Sequence, residues 1–318
     1  MRAYPFLFVL VISLFLACKE RAPKKYDRTL IDHQKIDAVF GNDVSNVLFN
    51  HLYVVVDSLT YISLIKDSPW KNSYAALDSG LPSFTPVSNN SSSCYLRGHR
   101  HYIEILGPNN AYDEPVGKSG IGFSLKNRGE HFHLGIEPKL GAMKDSLLYA
   151  TETVKMPLDG QEHTWFKAFY TPSPGTALHT WYGFYAPSFL EHLHGKQHTS
   201  YSREAFLEPA YEKQKLFHSV EMIQLTCTPS DFRRIAQELG YLNCELVEKD
   251  EKVFTITSGD INIRMEGSNK IKYSRISQIR CRLNNADNSV NHIGNITITN
   301  KDKESIWNFE KFHVHHTN

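Results

Sequence analysis

From residue 51 the chain reads HLYVVV, an apolar run rich in β-branched residues that suits a strand. Asp57 and Ser58 then suit a helix cap, and TYISLIKDSPW continues as a short helix ended near Pro69. Beyond a polar stretch come three strand patterns, CYLRG at 94–98, HYIEILG at 101–107 and GIGFSLKN at 120–127. The same order returns near the C-terminus. EMIQLTC at 221–227 reads as a strand, and Thr228-Pro229-Ser230-Asp231 then joins a cap, a first-turn proline and an acid placed for the helix dipole. Phe232, Ile235, Ala236 and Leu239 share one helical face, and Gly240 is placed to end the helix. KVFTITSG at 252–259, INIRMEG at 261–267 and SQIRCRLN at 277–284 complete the second copy.

The pattern therefore predicts an α+β fold with two β-α-β-β-β modules, over residues 46–127 and 218–312. Side chains alternate across a strand, so each sheet has a face under its helix and an open face. In the first module Leu52, Val54 and Val56, with Ile103 and Ile105, should pack the helix, leaving His51, Tyr53, Tyr102 and Glu104 on the open side. In the second, Ile223, Leu225, Ile261, Ile263 and Met265 form the helix-facing set, and Met222, Gln224, Asn262, Arg264 and Glu266 remain open.

Between the modules, residues 128–217 read as an aromatic-rich insertion, with TWFKAFYTP at 164–172 and HTWYGFYAPSFL at 179–190. These aromatics suit either a lid or sugar-stacking platform, or packing between the copies. SREAFLEPAYEKQK at 202–215 predicts a short helix, IGNITITN and ESIWNFEKF two terminal strands, and 313–318 a tail.

Composition narrows the class. The 318 residues are 41% hydrophobic and carry 35 Lys+Arg against 34 Asp+Glu, which excludes a disordered chain and gives no electrostatic footprint for nucleic acid. Residues 1–17 read as a signal peptide: Arg2 precedes an apolar run from Phe6 to Leu16 that is too short to span a bilayer. Its end, Leu14-Phe15-Leu16-Ala17-Cys18, resembles a bacterial lipoprotein box, with Phe15 where Leu is usual. That resemblance implies lipidation of Cys18 (palmitate among its acyl chains), a tether over 18–45, and an outer-membrane lipoprotein of the cell envelope. A cleaved secretory signal with an incidental cysteine is the alternative. Cys94, Cys227, Cys244 and Cys281 show no C-x-x-C spacing, so they suit buried thiols, or a disulfide such as Cys227 to Cys244.

A paired β-α-β-β-β unit with His on its first strand and Glu on its last resembles the vicinal oxygen chelate superfamily, the glyoxalase and extradiol dioxygenase relatives. FNHLYVVVD, YIEILGP and GIGFSLKN are similar to a glyoxalase-like branch. The resemblance implies that the two modules form a cup in which His51 and Glu104 hold one divalent ion, Zn, Fe, Mn or Ni, that polarises adjacent oxygens of a substrate. The second copy departs from it, with Met222 in the place of His51 and Arg264 in that of Glu104. Further ligands would come from His131 and His133, whose i, i+2 spacing shares a face when extended, or from His192 and His194 with His179 upstream. A surface or loop role is the other reading of these pairs.

His51 and Glu104 also admit a plainer reading, a strand-edge histidine and a carboxylate paired with Arg97. Tyr53, Tyr95, Arg97, Tyr102 and Arg264 are the candidate substrate-binding residues. Three functions are compatible with these residues: a metal-dependent lyase, isomerase or dioxygenase acting on a small oxygen-rich molecule, a non-catalytic ligand-binding lipoprotein that has lost the metal, or a purely structural or partner-binding envelope protein. No G-x-S-x-G, P-loop, H-E-x-x-H or EF-hand pattern competes.

Overall fold

The computed structural model describes residues 47–66, 68–125, 150–170, 173, 175–242, 244–249 and 253–315. The segment expected to be a lipoprotein signal, with Cys18, and His131 and His133 lie outside them. Among the described residues no helix is long and apolar enough to cross a membrane.

The first sheet comprises β1 (Val47–Val55), β2 (Ala76–Asp78), β3 (Ser93–Arg97), β4 (Tyr102–Leu106), β5 (Ser119–Leu125), β6 (Ala150–Leu158), β7 (Gln161–Tyr170) and β8 (Leu178–Tyr185). Helices α1 (Ser58–Lys66) and α2 (Ser68–Ser73) connect β1 to β2, while α3 (Pro187–His194) and α4 (Arg203–Leu207) come after β8. The second sheet begins with β9 (Phe217–Cys227), then α5 (Pro229–Tyr241), β10 (Glu245–Lys249), β11 (Val253–Ser258) and β12 (Ile261–Gly267). It ends with β13 (Arg275–Leu283), β14 (Val290–Ile293), β15 (Ile296–Lys301) and β16 (Glu304–Asn308), and α6 (Glu310–His315) closes the described chain.

The strands lie in the orders β2-β3-β4-β1-β5-β8-β7-β6 and β10-β11-β12-β9-β13-β16-β15-β14. In each sheet the first strand runs parallel to the fourth, β1 beside β4 and β9 beside β12, and antiparallel to the fifth. The class is thus α+β, in two eight-stranded sheets. One expectation is corrected: the aromatic-rich segment does not stand between two modules. Its strands β6, β7 and β8 continue the first sheet from β5, with β8 parallel to β5. The free edge of β5 carries unpaired backbone groups, and pairing with β8 satisfies them.

Local chemistry accounts for the helix starts. The Asp57 carboxylate accepts from the Thr60 backbone N–H at 2.7 Å, and the Thr228 hydroxyl from that of Asp231 at 3.4 Å. The helix expected to end near Pro69 ends at Lys66, and Pro69 stands in the first turn of α2, where a missing N–H costs nothing. ESIWNFEKF, read as a strand throughout, turns helical from Glu310.

One continuous apolar core joins the inner faces of both sheets, and α1, α2, α5 and α6 contribute to it. Leu52, Val54, Val56, Ile103 and Ile105 are all fully buried there, as are Ile223, Leu225 and Met265. Helices serve both sheets: α2 sets Trp70 against Trp307 of β16, ring centroids 5.7 Å apart. From α5, Arg234 donates to the Leu178 carbonyl at 2.9 Å, and Glu238 accepts from Tyr182 of β8 at 3.0 Å. Because the inner faces meet in one core, the two outer faces point away from each other. The two copies read from the sequence therefore do not close around a shared hollow.

A buried polar clasp locks the sheets together. Asp260, at the β11–β12 turn, accepts from the Phe49 N–H at 3.3 Å, from His101 Nε2 at 2.9 Å and from Arg203 Nη1 at 2.7 Å. The Val220 N–H donates to His101 Nδ1 at 3.1 Å, which leaves the ring proton on Nε2, facing Asp260. Burial pushes the His101 imidazole down to about 4. All four described cysteines are buried free thiols, so none forms a disulfide.

Candidate functional site

Register brings the expected residues of the first module together on the outer face of the first sheet. One row across the strands holds Arg97, Tyr102, His51, Gly122 and Trp181, and the next holds Asp78, Tyr95, Glu104, Tyr53, Gly120 and His179. His51 and Glu104 are thus diagonal neighbours on adjacent parallel strands.

Arg97 is held inside the protein. It is 2% exposed, forms a two-pronged ion pair with Asp78 at 2.6 and 2.8 Å, and is ringed by Tyr95, Tyr102 and Phe84 at 4.7–5.0 Å from their ring centroids. Phe189, Phe206 and Leu207, from α3 and α4, pack with Tyr102 and bury that end of the face. Glu104 accordingly does not pair with Arg97. Among the described residues its carboxylate has one hydrogen-bond partner, the Tyr95 hydroxyl at 2.7 Å. Burial pushes the Glu104 carboxyl up to about 7, against the opposing pull of Tyr95 and Arg97.

His51 lies flat against Tyr102, with centroids 4.3 Å apart and planes at 10°, and its Nδ1 meets Asn50 Oδ1 at 2.9 Å. Burial, reinforced by the Arg97 charge, pushes this imidazole down to about 3, so it is neutral at pH 7. Facing it across β5 is Trp181, 5.2 Å away between ring centroids. The indole can lie so close because β5 is bare there: a Cβ on Gly122 would sit 2.6 Å from it, and one on Gly120 would meet both Tyr53 and Trp181. Beyond Trp181 the same face opens into a cavity of about 220 Å³, walled by Phe166, Ala168, Tyr170 and Trp181, with His179 and Glu152 among its polar lining.

The donor set fits a metal poorly. His51 and Glu104 supply one nitrogen and one carboxylate, whereas an ion of the expected kind takes at least three protein ligands. The strands that face them, β5 and β8, bring glycines, an indole and one imidazole, His179, which stands in the row of Glu104 beyond Tyr53 and Gly120. Among the described residues no three His, Cys, Asp or Glu side chains are placed to hold an ion. The His192 and His194 pair does not share a face either. Both sit on α3, where two positions turn the side chain by about 200°, and His192 packs on His163 at 3.8 Å.

In the second sheet the register aligns Met222 with Asn262 and Gln224 with Arg264, matching the places of His51, Tyr102, Tyr53 and Glu104. Arg264 forms a half-exposed pair with Glu248 at 3.2 Å. Sequence reasoning missed Asp78 as the partner of Arg97 and did not single out Trp181 from the aromatic segment. The glycines at 120 and 122, unusual in an otherwise apolar strand, were the signal that could have pointed to it.

The family of unknown function DUF5829 matches residues 49–309, and the chain belongs to it. No curated protein matches. Two solved structures are similar to the chain: a hypothetical protein from Staphylococcus aureus, 14% identical over 72% of this chain and 88% of that one with a TM-score of 0.44, and a proposed dioxygenase from Bacillus subtilis subsp. subtilis str. 168, 10% identical over 79% and 80% with a TM-score of 0.25.

Proposed function

We propose that this DUF5829 member is a non-catalytic bacterial envelope lipoprotein, tethered to the outer membrane through lipidated Cys18. It binds a small, oxygen-rich ring compound of the sugar type on the outer face of its first sheet. The glyoxalase-like cup expected from the sequence is, in this reading, formed within the first sheet and used without a metal. The single observation that carries the reading is Glu104: a carboxyl buried beside Tyr53 and Tyr95 with one hydroxyl as partner, while the nearest guanidinium is tied to Asp78. A carboxyl left this short of donors costs stability, and such costs are typical of ligand sites. Ligand hydroxyls would supply the missing donors, and Trp181 and Tyr170 offer ring faces beside them.

The test uses tryptophan fluorescence of the mature protein during titration with monosaccharides, disaccharides and small phenols. Saturable quenching that Glu104→Gln and Trp181→Leu each weaken supports the reading; no saturable response to any of them rejects it. A second reading, a metal-dependent enzyme, is favoured by the adjacency of His51 and Glu104 and would draw a further ligand from outside the described residues. Metal analysis of the wild type beside His51→Ala and Glu104→Ala separates the two, because only the enzyme reading requires an ion that both substitutions remove.

A further inference from the structure

A cavity of about 770 Å³ lies away from that face, at the seam between the sheets. Its walls include His99 from the β3–β4 turn, Tyr211 and Lys213 from the segment after α4, His218 of β9, and Asn284 just after β13. The seam is tightly made. The His99 N–H donates to the His218 carbonyl at 2.7 Å, and a Cβ on Gly98 would lie 2.5 Å from that oxygen, so the turn seats only with glycine there. Tyr211 donates to Asn284 Oδ1 at 2.8 Å, and Asn284 Nδ2 donates to the Lys215 carbonyl at 2.9 Å. The two imidazoles stack with centroids 5.2 Å apart, and Tyr211 meets His99 edge-on at 5.4 Å.

Charge around this cavity is out of balance. Arg97, Arg203, Arg234, Arg264, Arg275 and Arg280 each face a carboxylate. Among the described residues Arg100, Arg282 and Lys213 have no carboxylate within 4.0 Å, although Arg282 stands opposite Glu304, which pairs with Arg280 at 3.6 Å, and Arg100 Nε is buried without a hydrogen-bond partner. Lys213 lines the cavity, and both arginines lie close enough to His218, as does His99, to help burial push its imidazole down to about 4. Of the two acids in the lining, Glu204 is held by the Ser202 hydroxyl at 3.0 Å and lies 4.0 Å from Arg203, and Glu208 is exposed.

We propose that the seam cavity is a second small-molecule site, taking an oxyanion-bearing ligand, a carboxylate or a phosphate ester, against Lys213 and the Arg100–Arg282 flank, with His99, His218 and Tyr211 forming its aromatic wall. An anion there would neutralise cations that the fold leaves unpaired, and it would favour protonation of His218.

The test is an NMR titration of the histidine ring protons of the full-length protein with inorganic phosphate and, separately, succinate, at constant ionic strength. Saturable binding of either probe is expected to raise the His218 pKa, with affinity falling at least tenfold in Lys213→Ala/Arg282→Ala. Both substituted side chains are exposed, so the fold is retained. A response to phosphate alone assigns phosphate esters, and one to succinate alone assigns carboxylates. No saturable response to either, or one that the double substitution leaves unchanged, overturns the proposal. Trp181→Leu is expected to leave this titration unaltered, which keeps it separate from binding on the first sheet.

Discussion

The two sheets share one strand order over all eight positions and treat their outer faces in opposite ways. In the first sheet the face is roofed: aromatic side chains from α3 and α4 cover Tyr102, Arg97 is caged with Asp78, and Trp181 lies on a stripe of glycines. In the second, the matching positions hold Met222, Gln224, Asn262 and Arg264, which remain half-exposed, and the strand facing them carries Arg280 where the first sheet has Gly122. The difference shows where burial raises the stakes. An ion pair sealed among rings has no water to fall back on, whereas an exposed pair is screened and contributes little.

That contrast can be broken most severely at Arg97. Arg97→Ala leaves Asp78 buried and unpaired and should cost about 3–5 kcal/mol in urea unfolding; a loss under about 1 kcal/mol would mean that the cage is not sealed. Next comes Glu104. Its folded pKa, about 7, is raised above its ordinary value of 4.5, so the neutral carboxyl favours the fold and that advantage, full below pH 4.5, is lost as pH rises through 7. Glu104→Gln should therefore be near neutral at pH 4 and stabilise by about 3 kcal/mol at pH 9, at about 1.4 kcal/mol per unit. Arg264→Gln, at the matching place, should show no such pH dependence.

A smaller effect is expected at Gly122, where alanine must displace the indole and should cost about 1–3 kcal/mol and alter tryptophan emission. Smallest of all, Arg264→Ala and Arg280→Ala should each change stability by no more than about 0.5 kcal/mol. A larger cost at either would show that the second face is covered in solution.

Much of the first face was legible in the sequence. Alternation alone placed His51, Tyr53, Tyr102 and Glu104 opposite Leu52, Val54, Ile103 and Ile105, because side-chain parity is a property of a single strand. Other elements left little trace. β10, Glu245–Lys249, is exposed at every position and so has no apolar period, and β2 is only three residues long. The partner of Arg97 lies 19 residues before it, on a different strand, and nothing in the spacing marks it. The seam cavity draws on the β3–β4 turn, the segment after α4, β9 and the end of β13, which only the packed sheets bring together.

By itself the sequence determined where most of the central strands and the two leading helices lie and which side of those strands is apolar, since dihedral preference and period-two alternation act within a few residues. Only the tertiary structure decided that the aromatic segment extends the first sheet, that the two outer faces look away from each other, and that Glu104 meets a tyrosine in place of an arginine. Those outcomes depend on which edges pair and which helices fill the space between the sheets, and that is settled by burying the inner faces of all the strands together in one core.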